Sequence, residues 1–297
     1  MRHSEITRGL TTLALLLASV VCGAQSPKAL KKLAESSMLV TGSIVIESDG
    51  RAAGVSIDKP EALPKEIVGF VTQSAEQWAF KPVVQDGKVV RARAPMTLRI
   101  VAKQVEGNKY DVEIRSASFG QDAPAASGER LEIKEMAPPK FPMNAAMLGV
   151  SGTVYLVLEV DGSGNVIQLA PERTNLGVAG TDNDMRKFRG MLERSAVAAA
   201  KKWTFATPTS GDAAKAGPWW VRVAVAFHLA ESRQEANQPY EPKYGQWETY
   251  IPGPRNPMPW DSDVQQPTAG GSMDALVDGQ LQQLGVGPQL LTPLGAG

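Results

Sequence analysis

The chain of 297 residues has one cysteine, Cys22, and two histidines, His3 and His228. A lone thiol rules out an intrachain disulfide framework. With His3 near the N-terminus, only His228 remains for the body of the chain, and no local nucleophile motif accompanies it. No Ser-His-Asp set can be assembled from that stock. Metal-ligand clusters and a phosphate-binding glycine loop are also missing. The stretch DGSGN joins two strands and opens no helix, and pairs such as Glu47 with Asp49 read as solvated turn residues. Net charge is zero, with 31 basic against 31 acidic residues, so there is no electrostatic footprint for nucleic acid. These absences predict a protein that is not an enzyme, with no catalytic residues, cofactor or metal.

Long apolar runs are scarce too. The longest, Leu10–Val21, has twelve residues, whereas a membrane-spanning helix needs roughly 20. Arg2 and Arg8 precede it and Cys22-Gly23-Ala24 follows, which is the pattern of a secretory signal over residues 1–24 cleaved after Ala24. Cleavage there leaves no thiol. A lipidated Cys22 is the rival, against which Val21 is large for such a site, and a retained anchor is the third reading. Membrane attachment is expected only in those two cases.

What is present is a pattern used twice. EQWAFKPVVQDG (76–87) and KKWTFATPTSG (201–211) both put a Trp-x-Phe pair after a helical segment and before a turn. Upstream of each lies a hairpin, Gly42–Asp58 turning at Asp49-Gly50, and Gly152–Leu169 turning at Asp161-Gly162; Asp-Gly supplies the backbone geometry such turns need. In the second hairpin Val154, Leu156, Leu158 and Val160 lie on one face, opposite Thr153, Tyr155 and Glu159. Helices are predicted over Pro64–Trp78 (stripe Ile67, Val68, Phe70, Val71) and Asp184–Trp203 (stripe Phe188, Met191, Leu192, Ala196, Ala199). Long strands follow at Val90–Ala102 and Pro218–Ala230. Short helical stretches precede each hairpin, at Pro27–Met38 and Phe141–Gly149. Glu172–Asp184 reads as a polar insert, Val105–Ile114 as a further hairpin, and Ser118–Glu129 as small, polar linker. Beyond Glu231 the periodicity stops and proline recurs at 252, 254, 257 and 259. An irregular tail is predicted, disordered or draped over the second unit, with one weak helix at Met273–Gly285.

The second unit resembles the C-terminal domain of TonB, the periplasmic energy transducer. The resemblance rests on Pro139, Phe141, Pro142, Gly152, Val154, Asp161, Gly164, Val166, Trp203, Phe205 and Pro208 in order, over residues 137–230. The first unit keeps Gly42, Asp49, Gly50, Trp78, Phe80 and Pro82 but lacks the Lys-Phe-Pro lead-in. The resemblance implies an α+β fold of two tandem domains, each a small antiparallel sheet packed by helices, over residues 25–117 and 135–231. A linker at 118–134 joins them and the tail is 232–297. Trp78, Phe80, Trp203 and Phe205 are expected as core anchors.

The resemblance also implies a function. TonB-type domains take up an extended segment of an outer-membrane receptor by strand addition at the last strand, where unpaired backbone groups serve as a template. Carried over, the partner-binding residues are Lys140, Phe141, Pro142, Arg222, Ala224, Ala226 and His228, with Val221, Val223, Val225, Phe227 and Leu229 facing the helix. The expected partner is an envelope protein, such as a TonB-dependent outer-membrane receptor, and the expected location is the periplasm; inner-membrane anchoring or lipidation is the alternative. An anchored transducer needs a retained membrane helix and a long Pro-rich spacer, and the first unit begins directly after the signal-like segment. The competing reading is a structural or assembly protein that docks through tail aromatics Tyr240, Tyr244, Trp247, Tyr250 and Trp260.

Overall fold

A computed structural model describes residues 34–85, 87–105, 110–120, 128–211, 214, 217–229, 243–260 and 273–294. The predicted signal, Pro27 through residue 33, the centre of the linker and Tyr240 lie outside them. The described chain is α+β, with antiparallel sheets and few helices.

In the first unit, β1 (Glu35–Ile46) and β2 (Ala52–Ile57) form the predicted hairpin, followed by α1 (Lys65–Ala75). A small ribbon, β3 (Val84–Gln85) with β4 (Lys88–Val89), leads to β5 (Ala92–Gln104) and β6 (Tyr110–Phe119). Helix α1 buries Ile67, Val71 and Ala75, spaced four apart, on one face. That face meets alternate residues of the sheet: Met38, Val40 and Ile44 from β1 and Met96, Leu98 and Ile100 from β5.

The second unit comprises β7 (Glu132–Glu135), α2 (Met143–Met147), β8 (Gly152–Val160), β9 (Val166–Leu176), α3 (Asp182–Ala200), β10 (Thr204–Ala206) and β11 (Trp219–Phe227). Thr181 caps α3 by accepting the Asp184 N–H at 3.2 Å, and Asp182 and Asp184 suit the positive end of the helix dipole. The helix buries Leu192, Ala196 and Ala200 against Val154, Leu156, Leu158, Val221, Val223 and Val225.

The two Trp-x-Phe sites share one local geometry. Gly50 and Gly164 have φ of 88° and 84°, and the Phe80 and Phe205 N–H groups donate to their carbonyls at 2.7 and 2.8 Å. A Cβ at either glycine would sit 2.1 or 1.9 Å from the carbonyl oxygen of that same phenylalanine, so only glycine fits. Trp78, Phe80, Trp203 and Phe205 are all buried in the two cores.

Five segments depart from expectation. Leu131–Lys134, predicted as linker, buries Leu131 in the second core and forms most of β7, which pairs with β10. Glu35–Met38, predicted helical, begins β1, because these residues pair with β5 on one side and a tail strand on the other. Glu172–Leu176, predicted as insert, extends β9, with Glu172 the extra residue of a bulge beside Pro171. Ser118 and Phe119, predicted as linker, end β6, where Phe119 packs edge-on against Trp78 and Phe80 with centroids 5.6 and 5.0 Å apart.

The tail differs most. β12 (Glu248–Tyr250) pairs with β1, and Ile251 exchanges backbone hydrogen bonds with Leu176 at 2.9 and 3.0 Å. Met258 and Trp260 pack on Val157, the Trp260 ring 4.8 Å from that of Trp220. Instead of a weak helix, 273–285 holds a 3-10 turn (Met273–Ala275) and β13 (Leu281–Gln283), which pairs with β11. Leu290 then bridges Phe80 in the first unit. The tail is thus stitched to both units in alternation.

Candidate partner-binding edge

β11 carries Val221, Val223, Val225 and Phe227 toward α3, as alternation requires, and Arg222, Ala224 and Ala226 toward the opposite face. The backbone groups of the even-numbered residues aim away from β8, and the tail meets them there. The Leu284 N–H donates to the Trp220 carbonyl (2.8 Å), the Gly279 N–H to that of Ala224 (2.9 Å), and the Ala224 N–H to that of Gln280 (3.4 Å). Further along, the Ala226 N–H donates to a side chain, Asp278 Oδ1, at 2.8 Å.

Arg222 is 4% exposed and holds Glu172, 1% exposed, through two hydrogen bonds, Nε–Oε2 2.7 Å and Nη2–Oε1 3.2 Å. Its Nη1 donates to Gln282 Oε1 at 2.9 Å, and Arg255 approaches the same Glu172 at 3.0 Å. Fully buried ions demand this kind of paired, hydrogen-bonded surrounding. Ala224 lies under Leu276 with Tyr155. Arg222 and Ala224 are therefore covered, while Ala226 and His228 are only half-buried and line a cavity of about 360 Å³ together with Arg99, Tyr155, Glu248 and Asp278.

The Lys140-Phe141-Pro142 lead-in reaches the same end of β11. The Phe141 ring stands edge-on to Phe227 with centroids 5.7 Å apart. Pro142 opens α2, its carbonyl accepting from the Ala146 N–H at 3.0 Å. Lys140 is exposed and its carbonyl accepts from the Ser195 hydroxyl. The structure brings Phe141, Ala226 and His228 to one end of the strand and sets Arg222 and Ala224 beneath the tail.

Beside this cavity, where the tail meets the sheets, lies a polar layer that sequence reasoning missed. The Tyr250 hydroxyl donates to Asp274 Oδ2, to which Arg173 Nη1 also donates at 3.2 Å. Arg99 Nε donates to the Asp274 carbonyl, and the Arg99 guanidinium lies 5.4 Å from the centre of the Tyr250 ring. Burial pushes the Tyr155 hydroxyl up to about 12, and burial with the Asp274 charge raises that of Tyr250. Nothing in the sequence period marks these tail residues. Glu172 had one signal: Pro171 inside an alternating run is a bulge mark.

Part of the chain is similar to TonB. A stretch of 99 residues is 36% identical to Protein TonB of Xanthomonas campestris pv. campestris strain B100, and the same holds for Protein TonB of strain ATCC 33913. The stretch is 33% of this chain and spans 38% of the length of those relatives. No protein-family model matches the chain. No solved structure matches it. The TonB likeness supports a TonB C-terminal-like domain, and the antiparallel α+β architecture described above is consistent with one. Among the described residues no helix is long and apolar enough to cross a membrane, and no group of three or more His, Cys, Asp or Glu could hold a metal.

Proposed function

We propose that this is a TonB-like protein of the cell envelope, with two tandem units of one design, that binds an extended segment of a partner by strand addition along β11. The reading is of a periplasmic binding protein, delivered by the signal at 1–24, and not of an enzyme. The units are residues 25–117 and 135–231, and the partner is an outer-membrane or other envelope protein, such as a receptor served by TonB-dependent transport. One observation carries the reading beyond the TonB likeness. The outer edge of β11 already accepts an added antiparallel strand, β13, through backbone hydrogen bonds. Each such bond is worth roughly 0.5–1.5 kcal/mol net, which suits reversible docking. Duplication is supported by the matched Gly50–Phe80 and Gly164–Phe205 bonds.

The assembly-protein reading is less well supported. Tyr250 and Trp260 are 4% and 7% exposed, packed on the chain's own sheets, which leaves Trp247, at 39%, as the exposed tail aromatic among those described. The test is a titration of the full chain with synthetic peptides from the extended periplasmic segments of TonB-dependent receptors, followed by backbone amide NMR. Shifts centred on Val221–His228 are expected. Binding that leaves those amides unmoved while shifting the 243–260 segment would overturn strand addition in favour of tail docking.

A further inference from the structure

The edge of β11 in this structure is occupied, and the occupant describes what the edge selects. Resting on the strand-addition reading, we infer that residues 277–284 are an internal ligand of β11, one that a partner strand of matching chemistry displaces.

The occupant is short and lightly held. Register pairs Val221 with Gln283, Arg222 with Gln282 and Val223 with Leu281, three pairs in all. Beyond Ala224 the tail gives the strand a carboxylate, Asp278 Oδ1, in place of backbone. Gly279 and Gly285, with φ of 73° and 79°, turn the chain onto and off the edge. Pairing this brief, bounded by two turns, opens at lower cost than a core strand. Opening also leaves no stranded charge, since Arg222 keeps both hydrogen bonds to Glu172 when Gln282 departs.

The side chains specify the partner. Leu281 lies against the core beside Val223, and Gln282 turns the other way, its amide oxygen accepting from Arg222 Nη1 at 2.9 Å. A displacing segment is therefore an extended, antiparallel strand with an aliphatic side chain opposite Val223 and a hydrogen-bond acceptor, amide or carboxylate, opposite Arg222. A guanidinium with a fixed fork reads such an acceptor well. The half-buried end at Ala226 and His228, beside the 360 Å³ cavity, is where the incoming strand first finds room. Competition from within lowers the apparent affinity by the fraction of time the edge is open, so an edge open about one part in ten binds about tenfold more weakly.

The first test needs no substitution. In the full chain, hydrogen exchange read by NMR should be at least ~10-fold faster for the amides of Arg222 and Ala224, which face the tail, than for those of Val221, Val223 and Val225, which face β8. Equal protection of the two sets would overturn the inference, since the tail would then open only with the core. The second test uses a labelled peptide of residues 277–286 as probe, against the full chain and its Gln282→Pro variant, which lacks the N–H at the centre of the pairing. The probe should bind the variant at least ~10-fold more tightly than the unaltered chain. Equal or absent binding to a variant that still melts cooperatively would overturn it. Should the opened chain take the probe yet no receptor-derived peptide, the internal ligand stands and the receptor reading fails.

Discussion

The outer edge of the last core strand has met two different fates in the two units. In the first, β5 is sealed by β6, the next strand of the chain, with nine residue pairs from Met96↔Phe119 to Gln104↔Tyr110. Phe119 at the end of that seal sits inside the core against Trp78 and Phe80. In the second, the corresponding strand, β11, is met by three pairs from a segment some fifty residues downstream. Strand, helix and Trp-x-Phe junction are alike, so the shared design does not decide which edge is available. The sequel to the strand differs: a hairpin closes one edge into the fold, and on the reading proposed above a borrowed segment leaves the other exchangeable.

Substitutions made in parallel sharpen that comparison. Removing the ring at the helix end should cost about 3–5 kcal/mol in either unit (Trp78→Ala, Trp203→Ala), read as denaturant-unfolding free energy. The units should part with phenylalanine. Trp203 Nε1 donates to the Ala137 carbonyl at 2.9 Å, so Trp203→Phe loses about 1 kcal/mol more than Trp78→Phe. Equal losses from the two phenylalanine variants would break the assignment of that bond.

Charge separates the units next. Glu172→Ala strands the buried Arg222 and should cost about 3–5 kcal/mol. In the first unit the pair Glu47 with Arg91, beside the turn, is solvent-exposed, so Glu47→Ala should cost less than about 1 kcal/mol in the same measurement.

The smallest effect is on pH dependence, and it belongs to the polar layer of the tail. Tyr155 ionises near 10 when exposed and near 12 in the fold. The folded state thus keeps a proton that the unfolded chain releases, and stability present below pH 10 is lost as pH rises toward 12. A melting series should show that alkaline decline, to which the raised Tyr250 also contributes, and Tyr155→Phe should make it shallower without abolishing it.

Much of the scaffold was legible because alternation and helical spacing are local signals. The two hairpins and both long helices follow from them, while the four aromatic anchors were expected from the TonB resemblance. The candidate site was half legible: Phe141 does meet Phe227 beside Ala226 and His228. A tail draped over this edge was expected, but not which segment would lie over Arg222 and Ala224, because a strand of three residues such as Leu-Gln-Gln carries too little period to be seen. Its place is set by distant partners, Arg222 above all.

The stitched tail also orders events in time. Chain synthesis reaches Trp78 and Phe80 early, yet Lys81 gives its N–H to Gln289 and the Leu291 N–H reaches back to Ala79. The first unit's own edge therefore waits through roughly two hundred further residues, tens of seconds at the slower rates of polypeptide elongation. A chain crossing a membrane as it is made would hold that edge open for the whole interval, and an escort that shields unpaired strands would find its natural client there.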